Sequence, residues 1–490
     1  MDDFVDASVR RPATDAQMAV LALATVGGVW AGLPQAWLVI IAAAVVLVVV
    51  PRIGGRRRAA RPPAGQRSSW PVLAAVAVAA LAGAVAGERA WERAEARGQG
   101  PFAGWAVVAA DPAPVRNGIR VVLAVEGERF QTYAFGPAAR RLERRHAGEQ
   151  VEVSGVRGPL RDGDEWLRVR HVVGRFDLDR VGAWAEGAPL ARASNRLRER
   201  LRSAAEDTMT ADDASLFTGL VVGDDVRQSR EVIDRFRAVG MSHLTAVSGQ
   251  NVAYVLAVTG VLLRRLPPWW RLGATWAVIA WFVVLTRVEP SVVRAGTMAG
   301  IGALAFAIGR ERSVPRILAL TVTVLVLVDP LLVWSVGFWL SCGATAGVSV
   351  LAPPLAVRWR GPVWLAMPVA TTVGAQLGVL VPSVLVFERL PVTGIVANLL
   401  AVPVAGMVML AGMPAALVAS VVPTWAASAV MLPAELGTRW VATVAALAER
   451  LAPTGVWVPV GWAVQIVVCA WWWRPLGRRS GDAAVAVERA

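Results

Sequence analysis

The segment Leu216–Val255 concentrates the residues whose types and spacing could do chemistry: Asp224 and Asp225 after Gly223, then His243, then Ser248-Gly249-Gln250-Asn251. A histidine shortly before a serine raises nucleophilic catalysis, because a serine hydroxyl attacks only when a neighbouring base takes its proton. No third residue that would orient the imidazole is evident. Ser248 also opens an apolar run, where a serine oxygen accepts a backbone N–H and starts a helix. Ser248 is therefore expected as a cap. Gln250 and Asn251 are expected to hydrogen-bond neighbouring helices or water in a pathway, since polar groups that enter a membrane face the bundle interior. Arg294, preceded by Pro290 and Ser291, is the intramembrane candidate for binding an anion, because a guanidinium matches phosphate oxygens in pairs. Its alternatives are snorkelling to headgroups or pairing with Glu289. Asn398 and Pro403 mark a second polar or irregular position inside an apolar run.

Several enzyme classes are excluded. The chain has 50 basic residues, all arginine, so no GxxxxGK[ST] phosphate loop exists. The histidines (His146, His171, His243) are far apart, with no HExxH. No catalytic residue, metal ligand or cofactor is assigned. Cys342 and Cys469 fall in apolar segments, so no disulfide is expected in an exposed domain.

The elements that must position these residues are mostly membrane spans. Of 490 residues 56% are apolar, and the mean hydropathy is +0.51. Several runs approach the roughly 20 apolar residues that cross about 30 Å of hydrocarbon. The expected organisation begins with a cytoplasmic tail over 1–17. Three transmembrane helices follow within 18–87, with an arginine-rich cytoplasmic loop, Arg52–Arg67. Over 101–184 apolar and polar residues alternate, as in Ile119–Val125, Phe130–Phe135, Gln150–Val156 and Trp166–Val173. That period of two, with turns at Asn117-Gly118 and Asp162-Gly163, predicts a small all-β barrel of OB-like type. Because the preceding span runs outward, the barrel is expected to be extracytoplasmic. Residues 190–207 read as an amphipathic helix, with Leu190, Leu197 and Leu201 opposite several arginines. It suits a membrane surface or, alternatively, an electropositive ramp. Spans resume over 208–473, and 474–490 is a second cytoplasmic tail. Within 392–421, Pro403, Gly406, Gly412 and Pro414 predict either a broken, re-entrant passage or one kinked helix. The fold class is thus a polytopic α-helical membrane protein with an inserted OB-like domain, multi-pass in the inner membrane. Net charge of +14 alone does not indicate a nucleic acid.

Four ordered segments carry a more specific resemblance. Gly240-Met241-Ser242-His243-Leu244-Thr245-Ala246-Val247-Ser248-Gly249 resembles the signature of ComEC-type competence proteins. Pro290-Ser291-Val292-Val293-Arg294-Ala295, Asp329-Pro330 with Gly337-Phe338-Trp339-Leu340-Ser341, and Ala397-Asn398-Leu399-Leu400-Ala401-Val402-Pro403 resemble three further elements of that family in order. After Ser248-Gly249 many members continue L-H-V-G, whereas this chain has Gln250-Asn251-Val252-Ala253. Many members also carry a C-terminal metallo-β-lactamase-like domain, which this chain, ending at Ala490, is expected to lack. The resemblance implies that 208–473 is a competence channel domain passing single-stranded DNA across the inner membrane. The implied partners are the lipid bilayer, a DNA receptor outside, a separate nuclease, a cytoplasmic DNA motor and a homo-oligomer. Two other functions fit the residues: transport of a small anionic solute, and a receptor or scaffold presenting the barrel to DNA.

Overall fold

The computed structural model describes residues 14–55, 70–245, 248–311, 313–359, 361–387, 392–453, 455 and 457–472. Most of the N-terminal tail, most of the arginine-rich loop and the C-terminal tail 474–490 lie outside them. The chain divides into two compact units, Met1–Arg93 with Gly309–Trp334, and Ala94–Ile308 with Ser335–Ala490.

In the first unit, α1 (Asp15–Ala31), α2 (Ala36–Gly55) and α3 (Trp70–Arg93) follow one another. Thr14 starts α1 with a capping box, exchanging hydrogen bonds with Gln17. Small residues let α1 and α3 touch backbone to backbone: a Cβ on Gly28 would lie 2.0 Å from the Ala80 carbonyl, and one on Gly83 2.3 Å from that of Thr25. The later helix Val314–Val328 packs on α1 in this same unit, tied by Asp15 to Ser313 (2.7 Å) and Arg316 (3.1 Å).

The second unit begins with the barrel: β1 (Gly100–Val108), β2 (Ala113–Val115), β3 (Gly118–Val125), β4 (Glu128–Phe135), α4 (Gly136–Glu143), β5 (Gln150–Pro159) and β6 (Val172–Ala185). The sheet order β1-β5-β6-β4-β3 closes through a β1–β3 pairing, and β2 is a short edge strand on β3. Five strands closed in this way, with α4 between the third and fourth of them and a parallel β4–β6 contact, make an OB-like barrel. Alternation on β3 puts Ile119, Val121, Leu123 and Val125 inside, against Phe130, Leu142 and Phe176. Glu126-Gly127, both at positive φ, form the two-residue hairpin that a right-handed strand twist favours. The Trp166–Val173 run is not a strand over its first part: Glu165–Arg170 is a 3₁₀ turn closed by His171 at φ 59, and β6 starts at Val172. Its alternation is short, and burying Leu167 satisfies the turn while Trp166 stays exposed beneath Arg170.

The helices of this unit are α5 (Pro189–Glu206), α6 (Ala211–Val222), α7 (Arg230–Ala238), α8 (Ser242–Thr245), α9 (Gly249–Leu263), α10 (Pro268–Leu285) and α11 (Pro290–Ala307). In chain order α12 is the Val314–Val328 helix of the first unit. Then come α13 (Val336–Ala346), α14 (Ala352–Val357), α15 (Val363–Phe387), α16 (Gly394–Ala419), α17 (Thr424–Arg450) and α18 (Trp457–Trp472). Six helical stretches among the described residues are long and apolar enough to cross a membrane: Pro71–Arg93, Pro268–Leu285, Pro290–Ala307, Val336–Val357, Val363–Val386 and Gly394–Ala419. The shorter apolar helices include α9, which at 15 residues spans about 22 Å.

Two packing details shape this unit. A glycine seam joins α13 and the π-helical turn that continues it (Gly347–Leu351) to α15: a Cβ on Gly347 would lie 2.0 Å from the Gly374 carbonyl, and one on Gly378 2.0 Å from that of Gly343. Four glycines spaced by four residues on facing helices thus bring the two backbones together. The second detail is that α16 is one continuous helix, not a broken passage. The glycines that suggested a break are contact points, since a Cβ on Gly406 would overlap the Tyr254 hydroxyl at 2.3 Å and one on Gly412 would meet Phe217 at 2.7 Å. The 27-residue α17, packed along α16, carries Glu435, Arg439 and Glu449, charges that hid it among weaker apolar runs.

Candidate functional site

Three of the four quoted motifs converge on Arg294. Pro290 occupies the first turn of α11, where its fixed φ and missing N–H cost nothing, so the helix starts there and Arg294 lies one turn in. The side chain is 5% exposed. Its Nε donates to Ser341 Oγ on α13 at 2.7 Å, and an Nη approaches Met298 Sδ at 2.9 Å. The start of α9 closes over the guanidinium: a Cβ on Gly249 would lie 3.0 Å from an Arg294 Nη and 2.9 Å from the Ala295 Cβ. Any residue larger than glycine would therefore press on the charge. The guanidinium is turned inward between α9 and α13 rather than outward as in snorkelling, and no carboxylate, Glu289 included, pairs with it among the described residues.

The polar residues before and within α9 are structural supports of this node. Ser248 caps α9, accepting from the Gln250 N–H at 3.3 Å, and its hydroxyl contacts Asn251 Oδ1 at 3.2 Å. Asn251, 3% exposed, donates to the Leu220 carbonyl in the last turn of α6 at 3.0 Å. Gln250 reaches the Tyr254 hydroxyl. His243 on α8 has open surface yet is recessed among protein, a loss of hydration that lowers its pKa, and no hydrogen bond joins it to Ser248 among the described residues, so the two do not form a base–nucleophile pair. Asn398 and Pro403 lie on α16. Pro403 withdraws the donor that the Leu399 carbonyl would have in a regular helix. Asn398 Oδ1, next to it in sequence, also has no hydrogen-bond partner. No contact joins Asn398 to Arg294 among the described residues.

A second charged centre joins the barrel to the helices. Asp111, following β1, receives Arg287 of the α10–α11 turn in a two-pronged contact at 2.8 and 2.9 Å, and accepts the Ala147 N–H at 2.8 Å. Arg198 of α5, 4% exposed, stands 3.7 Å from Asp111 and 3.5 Å from Asp224. It also donates to Val222 and Leu285 carbonyls, both at 3.1 Å, which end α6 and α10. One guanidinium thus satisfies the carbonyl ends of two helices. Arg202 closes the chain on Asp224 at 2.5 Å.

Burial alone would raise Asp111, but Arg287 and Arg198 outweigh it and hold its carboxyl below the usual range. Asp225 and Glu289 are open to water yet recessed among protein. That loss of hydration raises both, helped by repulsion from Asp224 at the first and Asp225 at the second. Arg287 and Val288 adopt φ of 61° and 59°, left-handed values that cost a β-branched residue about 1–2 kcal/mol.

The sequence marked Asp224 but missed Asp111, Arg198, Arg202 and Arg287 as a unit. The usable signal was Arg198 itself, which repeats with Ser194, Leu201 and Ala205 on the buried stripe of α5. A charge inside an apolar stripe requires a partner. The helix is accordingly packed on α6, α10 and α16 along that face.

A model of a family described as competence protein matches residues 220–478. Among curated proteins, the "Uncharacterized protein YcaI" of Escherichia coli is 26% identical over 210 residues, 39% of this chain and 27% of that one. The "ComE operon protein 3" of Bacillus subtilis is 25% identical over 246 residues, covering 49% and 31%. The "Competence protein ComA" of Neisseria gonorrhoeae is 29% identical over 187 residues, covering 36% and 27%. The matched region thus spans less than a third of each relative's length. No solved structure matches.

Proposed function

Because this chain belongs to the competence protein family, we propose that it forms the inner-membrane path through which single-stranded DNA enters the cell during natural transformation. The observation that carries this is the Arg294 guanidinium, buried in an apolar helix, held by one hydroxyl and, among the described residues, left without a carboxylate. An ionised group in such a place costs roughly 2.5–3.5 kcal/mol, and a phosphodiester passing beside it would supply the missing counter-charge.

Six helices of spanning length support the membrane path. The barrel lies outside in this reading. Its β3–β4 face carries the cross-strand pair Arg120 and Tyr133, with Phe135 57% exposed, so it offers stacking surfaces beside a cation to an incoming strand. A DNA receptor outside, a separate nuclease and a cytoplasmic motor complete the route.

The test is uptake of labelled donor DNA by a competent strain lacking its own copy and complemented with this chain. Complementation by the parent chain, with Arg294→Gln leaving DNA at the surface at normal protein abundance, supports the path. Normal internalisation with Arg294→Gln removes the residue from it. If proteoliposomes accumulate orthophosphate but no oligonucleotide, transport of a small anionic solute replaces DNA passage. If only substitutions at Tyr133 and Phe135 matter, the chain is a receptor that presents its barrel.

A further inference from the structure

Five arginines lie along α5, and three of them are neutralised within the fold. Arg192 pairs with Glu186 at 3.0 Å, Arg198 with Asp111 and Asp224, and Arg202 with Glu199 at 2.8 Å as well as Asp224. Arg196 and Arg200, one turn apart and both exposed, have no ion-pair or hydrogen-bond partner among the described residues. They line a groove of about 430 Å³, whose opposite wall is the corner between α16 and α17, with Ala419, Val422 and Thr424. Ser203 adds a hydroxyl to the floor. Glu199, also in the groove, is already occupied by Arg202, and Asp207 lies seven residues beyond Arg200, about 10 Å along the helix axis.

The surroundings identify the occupant. The groove abuts the end of α16, one of the helices apolar enough to cross a membrane. Beside it Val421 and Trp425 are each 79% exposed, a poor arrangement in water but a favourable one where acyl chains meet headgroups. Two free guanidiniums then stand at headgroup depth above an apolar wall, complementary to a phosphate that carries hydrocarbon below it.

We propose that the Arg196–Arg200 groove binds the phosphate headgroup of an anionic phospholipid and seats α5 against the bilayer. This goes beyond DNA passage and does not depend on it.

The experiment is native mass spectrometry of the full-length purified chain with added phosphatidylglycerol, using phosphatidylcholine for comparison and orthophosphate and a thymidine 20-mer as competitors. Phosphatidylglycerol adducts should exceed phosphatidylcholine adducts, and each arginine removed in Arg196→Gln and Arg200→Gln should lower phosphatidylglycerol occupancy roughly fivefold. Arg116→Gln, on an exposed turn of the barrel, should leave occupancy unchanged. Unchanged occupancy in the double variant, or an equal fall with Arg116→Gln, overturns the site. Orthophosphate that displaces the lipid at equal concentration reduces it to a simple anion site. Loss of oligonucleotide binding with lipid retained assigns the groove to DNA. Both side chains are exposed, so the two single variants carry the test if the double variant is lost. Arg294→Gln should leave lipid occupancy intact, which separates failure here from failure of the DNA path.

Discussion

Two arginines of this chain are equally hidden, Arg198 at 4% and Arg294 at 5% exposure, yet their surroundings are opposite. Arg198 sits between two aspartates and two helix-end carbonyls, so both prongs of its fork are answered. Arg294 has a hydroxyl, a thioether and a glycine face, and no carboxylate partner among the described residues. Burying a guanidinium is costly in both places, but only the first site repays that cost internally. The contrast separates a charge answered inside the fold from one that the fold leaves unanswered among the described residues.

The largest effect should come from Arg198→Ala. Removing it leaves the two helix-end carbonyls without their guanidinium donor and takes one of two arginines from each of Asp111 and Asp224, a loss of about 3–5 kcal/mol, read as a collapse of protein abundance and melting temperature. Arg294→Gln should do the reverse, keeping abundance while DNA internalisation falls roughly 10- to 100-fold, the worth of one charge-assisted contact at about 1.5–3 kcal/mol. If both variants lose abundance equally, the distinction between the two arginines fails.

Acidification should act on the junction through Asp111. Asp111 has a folded pKa below its unfolded value near 3.8, so its contribution is complete above that value and is lost as pH falls through the folded one. Asp225 and Glu289, raised in the fold, bind protons more readily folded than unfolded and so contribute in the other direction as pH falls. Melting scans from neutral pH downward should therefore show a late acid loss that Asp111→Asn abolishes.

Ser341→Ala, which removes the one oxygen on Arg294, should reduce internalisation by about fivefold, near 1 kcal/mol, with little change in melting. The smallest effect is a gain. Val288→Gly relieves a left-handed β-branched residue and should stabilise the junction by about 1 kcal/mol in denaturant unfolding, against the entropy glycine adds to the unfolded chain.

The periodic parts of this fold were readable from sequence. Alternation located β3, β4 and β5, and long apolar runs located most of the helices from Pro268 onward, α17 excepted. Three features escaped for separate reasons. The 3₁₀ turn Glu165–Arg170 mimics strand alternation over a few residues, and only tertiary closure of the barrel decides between the two. The glycines of α16 signal a break in sequence, whereas the facing rings of Tyr254 and Phe217 explain them as contacts. The Arg198 junction joins residues more than a hundred positions apart, from Asp111 to Arg287, so no local pattern contains it. At Arg294 the residue itself was legible, because a lone cation in an apolar run stands out. Its lack of a carboxylate became visible only once Gly249 and Ser341 were placed around it.

The glycine seam between α13 and α15 acts on that charge from a distance. Ser341, which fixes the Arg294 guanidinium, lies two residues before Gly343 on the same rigid helix, so the seam and the hydroxyl move as one lever arm. A single methyl at Gly343 or Gly347 would have to wedge the two backbones apart, swinging Ser341 away from Arg294 with no change to either residue. Residues that never touch the guanidinium therefore set its aim.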